Sequence, residues 1–175
     1  MKVIINAVIF KLHWVACVVG GSLWGVAGAL GMIAFSWRVG TLQRDAWIAF
    51  LLAPAGWFLD TTWITLGILD YGAYSTAPLW IVLLWVGLAF ALCHAMSMFV
   101  DRPWLGGLLT LFAAPGTYLA GQSLGAVSVP DVWMLGVISI AWGSLFYAVF
   151  TLLGQNGVNS DHVAQSGGVS ETQPT

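Results

Sequence analysis

Charge is what this sequence has least of. Only 7% of its 175 residues are Asp, Glu, Lys or Arg, whereas a soluble domain carries about 25%. Hydrophobic residues make up 59% of the chain, more than one soluble domain of this length could bury. The five basic residues are spread along the chain, which excludes the basic patch of a nucleic-acid-binding protein. The composition therefore predicts an all-α, polytopic helical membrane protein.

Cysteine, histidine and catalytic motifs are equally scarce. Cys17 and Cys93 fall in separate apolar runs, and the topology below puts them roughly 10 Å apart in depth at ~1.5 Å per residue. That separation is too large for a disulfide, so two buried free thiols are predicted. The histidines are scattered, so no metal site and no cofactor are predicted. No Ser–His–Asp order, Cys-x-x-Cys or phosphate loop is present, which leaves only a site assembled across helices.

Long apolar runs are what the sequence does have. A membrane span needs about 20 such residues, and six runs qualify: residues 3–19, 22–37, 46–69, 77–100, 104–126 and 132–153. The first two runs are short, and Gly20 and Gly21 separate them. An alternative merges residues 12–37 into one long tilted helix and leaves five spans. The loops are short, so residues 1–153 are predicted to form one transmembrane domain.

The positions of the basic residues favour six spans with both termini in the cytoplasm. In that reading the inner side holds Lys2, Arg38, Arg44 and Arg102, and the outer loops hold no Lys or Arg. This is the distribution that the positive-inside rule describes. Five spans would place Lys2 and Lys11 outside. Residues 154–175 lack apolar periodicity and are predicted to form a disordered cytoplasmic tail.

Asp60 is the most unusual residue, because it interrupts the third predicted span about fourteen residues from its inner edge. A charged side chain at that depth is destabilising by roughly 2.5–3.5 kcal/mol unless it faces protein or water. Lys11, in the first span, either pairs with Asp60 or extends its long side chain to the inner surface. The Asp60 side chain either has a structural role, linking helices, or is a carboxylate that faces a ligand or carries a proton.

Four further residues complete the predicted ligand site. Tyr118 lies at the depth of Asp60 in a span of the same direction, and Gln122 follows it one helical turn later. Trp57 precedes Asp60 by three residues, and His94 is the one histidine of the fourth span. Each has a structural alternative, such as helix packing or an interhelical hydrogen bond. A direct Asp60–His94 pair is not expected, because the two differ by roughly 12 Å in depth.

Several segments resemble one bacterial family. They are Leu59-Asp-Thr-Thr-Trp-Ile-Thr-Leu-Gly67, Pro78-Leu-Trp-Ile-Val-Leu-Leu-Trp85, Cys93-His94-Ala-Met and Gly116-Thr-Tyr-Leu-Ala-Gly-Gln-Ser-Leu-Gly-Ala126. The sequence is similar, over roughly residues 3–150, to small bacterial inner-membrane proteins catalogued as domain of unknown function 2878. The resemblance implies a bacterial inner-membrane location and no established activity. Lys11 and His13 depart from the family pattern.

The function predicted from these observations is the binding or transport of a small apolar or lipid-like molecule in a central cavity around Asp60. The alternatives are a membrane-embedded lipid-modifying enzyme and a non-catalytic substrate-binding subunit of a larger transporter. Membrane lipids are the expected surroundings, and nucleic acid is not an expected partner. A partner membrane protein or a homo-oligomer is left open.

Overall fold

The computed structural model describes the backbone of residues 1–167 and the side chains of residues 1–155. Over that range the chain is all-α, as predicted, with two short 3-10 turns at Ser97–Phe99 and Val132–Met134. The helices, in chain order, are α1 (Lys2–Val39), α2 (Leu42–Thr65), α3 (Leu79–Leu92), α4 (Pro103–Ser123) and α5 (Leu135–Gly167). The predicted boundary between domain and tail stays a prediction, and residues 168–175 lie outside the described part.

Helix α1 is broken at Gly21, where φ is 65° and ψ is −154°. Glycine adopts this conformation readily because it has no Cβ. We call residues 2–20 the first arm and residues 22–39 the second arm. The arms run antiparallel, because Gly25 lies against the Cys17 side chain and Gly28 against His13. The predicted break between the first two apolar runs is therefore present.

Three helical segments of the described chain are long and apolar enough to cross a membrane: Lys2–Val39, Leu42–Thr65 and Val132–Gln155. Large apolar side chains are exposed all round the molecule, including Leu23, Trp37, Phe50 and Trp133. A soluble monomer rarely exposes large contiguous apolar surface. These helices and this surface are compatible with a membrane protein.

Helix α3 is shorter than the run of residues 77–100 that was predicted to span, and it ends at Leu92. The buried side chain of Asn6, from the first arm, binds the backbone where the helix stops. Its amide oxygen accepts from the Ala95 N–H at 3.2 Å, and its amide nitrogen donates to the Phe90 carbonyl at 3.4 Å. Polar backbone freed from a helix within apolar surroundings requires such partners, so a long-range contact sets the end of α3.

The helices form two groups joined by aromatic rings. Helix α3 packs against α1 and α2, and α4 packs against α5. Between the groups, the Trp85 ring lies 5.0 Å from the Trp142 ring and 6.4 Å from the Phe146 ring, measured between centroids. Within α5, Trp142 stacks on Phe146 at 5.6 Å. These distances suit favourable aromatic pairs. The aromatic row is therefore a main connection between α3 and α5.

Two loops cover one end of the bundle, where α2 and α4 finish. Residues 66–78 and 124–131, which we call the lid, are joined by a backbone bridge. The Asp70 N–H donates to the Ser128 carbonyl at 2.9 Å, and the reverse bond measures 2.7 Å. Leu69, Tyr71 and Val127 of the lid are buried. The lid therefore closes this end of the helix bundle with apolar side chains.

Candidate functional site

Asp60 lies beneath the lid and accepts three hydrogen bonds. The Trp85 indole N–H donates to Oδ2 at 2.7 Å, and the Tyr118 hydroxyl donates to Oδ1 at 3.0 Å. The Tyr71 hydroxyl makes a longer contact with Oδ1, at 3.4 Å. Asp60 is only 2% exposed. The three donors come from α3, α4 and the lid, so one carboxyl group links three separate parts of the fold.

The local sequence explains how Trp85 reaches Asp60. Gly56 precedes Asp60 by one helical turn on the same face of α2. A Cβ added at Gly56 would overlap the Trp85 ring, so only glycine lets the indole lie flat against α2. Asp60 is five residues before the end of α2 at Thr65. Its position in the helix is therefore nearer the lid than the mid-span position predicted from residues 46–69.

Tyr71 belongs to the lid and keeps its proton. Burial, and then the neighbouring Asp60 carboxyl group, raise the pKa of Tyr71 well above its ordinary value. The phenol therefore remains a hydrogen-bond donor throughout the physiological pH range. This fixes the direction of the contact between the lid and Asp60.

A small chamber adjoins Asp60 and has a volume of about 40 Å³. Its walls include Tyr71, Trp85, Tyr118 and Trp142. A water molecule needs roughly 10–15 Å³ on this kind of measure. The chamber therefore has room for water or for one small polar group, and it is too small for a lipid.

A larger groove runs beside the chamber and has a volume of about 660 Å³. Its walls are formed by the first arm, α3, α4, α5 and residues 95–99. This volume is typical of small-molecule sites, which range over roughly 300–1,000 Å³. The groove and the chamber share four wall residues, Trp14, Leu84, Thr117 and Trp142. The two spaces are therefore neighbours.

Lys11 is the one charged residue in the wall of the groove. Its Nζ atom lies 6.0 Å from the centre of the Trp14 ring, at the limit for a cation–π contact. Among the described side chains, Asp45 is the only carboxylate in a salt bridge, and its partners are Arg44 and His94. The predicted alternative of a Lys11–Asp60 ion pair is therefore wrong for this structure.

A second polar cluster lies at the opposite end of α2, around Asp45. This carboxylate is fully buried and accepts at Oδ2 from the hydroxyls of Ser36 and Thr41, both at 2.7 Å. Arg44 donates to Oδ1 through Nε at 3.0 Å and Nη2 at 2.9 Å. His94 Nε2 lies 2.8 Å from Oδ2. An ionised carboxylate only accepts, so Nε2 carries a proton.

The Asp45 cluster joins three elements. Ser36 is at the end of the second arm, Thr41 and Arg44 flank the start of α2, and His94 follows α3. Every oxygen of the buried carboxylate has partners, as a buried charge requires. Helix packing explains this arrangement without a ligand, and neither of the two spaces described above is lined by Asp45 or His94.

Comparison with known proteins gives one result. Residues 3–148 match the family model described as protein of unknown function, DUF2878. The chain belongs to the DUF2878 family. No curated protein and no solved structure matches it. Membership of DUF2878 therefore confirms the resemblance found in the sequence and assigns no activity.

The structure brings together two of the five predicted site residues in this DUF2878 protein. Tyr118 contacts Asp60 directly, as their matched depth predicted. Gln122 instead accepts from the Val129 N–H of the lid at 2.8 Å. Trp57 is 39% exposed and lines neither the chamber nor the groove. Whether any of these residues binds a ligand stays a prediction.

His94 is far from the other predicted site residues. Its partner Asp45 precedes Asp60 by fifteen residues along α2, a rise of roughly 22 Å at ~1.5 Å per residue. The expectation that Asp60 and His94 do not pair is therefore confirmed. His94 and Asp60 thus lie near opposite ends of α2, and whether His94 binds a ligand stays a prediction.

The sequence did not identify the roles of three residues, of which Trp85 and Tyr71 donate to Asp60 and Asp45 forms the second polar cluster. Trp85 stood only within the segment from Pro78 to Trp85 that carries the family resemblance, and Tyr71 was not singled out. Asp45 stood just outside the predicted third span, where an acidic residue is ordinary. The one available signal was spacing, since Gly56 and Asp60 lie one turn apart on α2 and so leave room for a large neighbour.

Proposed function

We propose that this protein is a six-pass membrane protein that binds a single-chain apolar molecule of the lipid class. The chain of that molecule lies in the groove, and its polar end lies in the chamber at Asp60. The observation that carries the proposal is the groove of about 660 Å³ with a small polar chamber beside it.

The dimensions of the groove fit one extended chain. Along α4 its wall runs from Leu109 to Ala120, a distance of roughly 16 Å at ~1.5 Å per residue. The groove is lined mainly by alanine, leucine, methionine and aromatic side chains, and it has few polar groups. An apolar site with a few placed polar groups is the usual form of a small-molecule pocket. The predicted cavity around Asp60 is thereby replaced by two spaces, of which only the groove admits a chain.

The lid supports binding from within the membrane. The buried side chains of Tyr71 and Val127, from the lid, form part of the chamber wall, whereas the groove is partly open to the surroundings. A molecule that reaches Asp60 through the groove need not pass through water. This route suits a substance that is already dissolved in the bilayer.

The antiparallel arms of α1 support the proposal of six passes. In the proposed topology each arm crosses once on either side of the break at Gly21, and α2, α3, α4 and α5 make the other four passes. Lys2, Arg38, Arg44 and Arg102 then share one side, which supports cytoplasmic termini in a bacterial inner membrane. No observation at the site specifically favours the enzyme alternative or the transporter-subunit alternative.

Filling the groove tests the proposal. Gly116 lines the groove, and a Cβ added there meets no atom within 4 Å. Gly116→Leu should block the groove while improving the helix, because glycine inside a helix is less stable than ordinary residues by about 1 kcal/mol. We expect the variant to lose the lipid-class molecule that extracts with the wild-type protein from lipid nanodiscs, as measured by mass spectrometry.

Gly136→Leu is the matched control. Gly136 is also a helical glycine with open space around it, but it does not line the groove. The control should retain the extracted molecule at the wild-type level. Equal retention by Gly116→Leu, with a normal unfolding temperature, would contradict binding in the groove.

A further inference from the structure

The indole N–H of Trp142 is buried and has no hydrogen-bond partner within 3.5 Å, and the Tyr118 hydroxyl lies near it at a longer distance. Trp142 is 9% exposed, and its ring lines both the chamber and the groove. Most buried polar groups in native proteins are paired, so an unpaired one requires an explanation. Its place in the walls of both spaces suggests a group that is present only when the site is occupied.

Asp60 has one acceptor position left. An ionised carboxylate offers about four positions to donors, and the three hydrogen bonds from Trp85, Tyr118 and Tyr71 fill three of them. Oδ1 takes both tyrosine hydroxyls, and Oδ2 takes only Trp85. The remaining acceptor position therefore lies on Oδ2 and is available to a donor.

The chamber thus presents one donor and one acceptor to an occupant of small size. A hydroxyl group fits both, because it accepts from an N–H and donates its own proton. A carboxylate or phosphate has no proton to donate and would be repelled by Asp60. An ammonium group donates but cannot accept from Trp142, and a methyl group does neither.

We propose that the polar end of the bound molecule is a neutral hydroxyl, held between the Trp142 N–H and Asp60, so that the ligand is a long-chain alcohol or another lipid with a terminal hydroxyl. This inference rests on the proposed function, because the apolar chain attached to the hydroxyl occupies the groove. Lys11 then lies in the wall beside the chain and does not contact the polar end.

Chain-matched probes test the inference on the full-length protein in lipid nanodiscs. Dodecanol can both donate and accept a hydrogen bond, dodecyl methyl ether can only accept one, and dodecane can do neither. Each is measured by its competition with radiolabelled dodecanol. We expect dodecanol to bind best, the ether roughly tenfold more weakly, and dodecane more weakly again, since each lost hydrogen bond accounts for about a factor of ten. Dodecanoate should compete poorly.

Two variants test which residue makes each hydrogen bond to the hydroxyl group. Trp142→Phe removes the N–H. It should therefore weaken the binding of dodecanol and of the ether by a similar factor of roughly ten, and leave the binding of dodecane unchanged. Asp60→Asn should weaken the binding of dodecanol but not that of the ether. This variant tests the inference independently if Trp142→Phe does not fold. Trp63→Phe is the control, because Trp63 also has a buried unpaired N–H but lines neither space.

The outcomes separate the inference from the function on which it rests. Equal binding of dodecanol and dodecane, unaffected by Trp142→Phe, would show that the chamber holds only water, and it would overturn the inference while the groove stands. Preferred binding of dodecanoate, abolished by Lys11→Met, would replace the hydroxyl by an anionic end. Failure of every chain to bind the wild-type protein would overturn both proposals.

Discussion

At the residue scale, Asp60 shows how a buried acid is accommodated without a cation. Its partners are two phenols and an indole, whose donors are neutral and come from three parts of the fold. Neutral donors leave the charge of Asp60 uncompensated. A structural acid would more commonly be paired with a cation, as Asp45 is with Arg44. The two acids of α2 are therefore accommodated by different kinds of partner, neutral donors at Asp60 and cationic groups at Asp45.

Asp60→Asn tests this account of the residue. The asparagine amide would turn an NH₂ group towards a tyrosine or tryptophan donor, so we expect a loss of roughly 1–3 kcal/mol in the free energy of unfolding. Lys11→Met should change stability by less than about 0.5 kcal/mol, as for an unpaired surface residue. Denaturant unfolding of the purified protein, followed by tryptophan fluorescence, measures both.

The double variant decides between this account and an ion pair. If Lys11 does not pair with Asp60, then Asp60→Asn combined with Lys11→Met should be as unstable as Asp60→Asn alone. Recovery of stability in the double variant would instead reveal an Asp60–Lys11 pair.

The sequence predicted part of the site at this scale. Matched depth and direction correctly placed Tyr118 beside Asp60, because helical rise along the chain is regular. Asp45 was missed because its burial depends on long-range partners. Ser36 and His94 approach it only after the second arm, α2 and α3 have packed together. The same holds for Trp85, whose approach depends on the absence of a side chain at Gly56.

At the scale of elements, the break in α1 determines the topology. Glycine pairs are a local signal, so the sequence predicted the break correctly at Gly20 and Gly21. The end of α3 was not predictable in this way, because residues 93–100 are still largely apolar and contain no glycine or proline. Asn6, from the first arm, provides the hydrogen bonds that replace the helix there.

Reporter fusions test the proposed number of membrane passes. An alkaline phosphatase fused after residue 72, within the lid, should be active because the proposed topology puts that segment on the outer side. Fusions after residues 40 and 154 should be inactive as phosphatases and fluorescent with a cytoplasmic reporter. Phosphatase activity after residue 40, together with none after residue 72, would mean that α1 crosses the membrane once as a single long helix.

At the scale of the whole molecule, the groove is a consequence of how two groups of helices meet. The aromatic row through Trp85, Trp142 and Phe146 joins α3 to α5, while the first arm and α4 both line the open space of the groove. Periodicity and composition describe each helix separately. They contain no information on the distance between two helices that the chain does not connect, so the groove was not predictable from the sequence.

Photoaffinity labelling in native membranes tests the central claim most directly. The probe is a dodecanol that carries a diazirine in its chain, and the labelled peptides are identified by mass spectrometry. We predict adducts between residues 109 and 120 of α4 and between 142 and 150 of α5, removed by excess dodecanol and by Gly116→Leu but not by Gly136→Leu. Adducts spread over outward-facing residues such as Phe50 and Phe58, and unaffected by competition, would contradict the groove as a binding site.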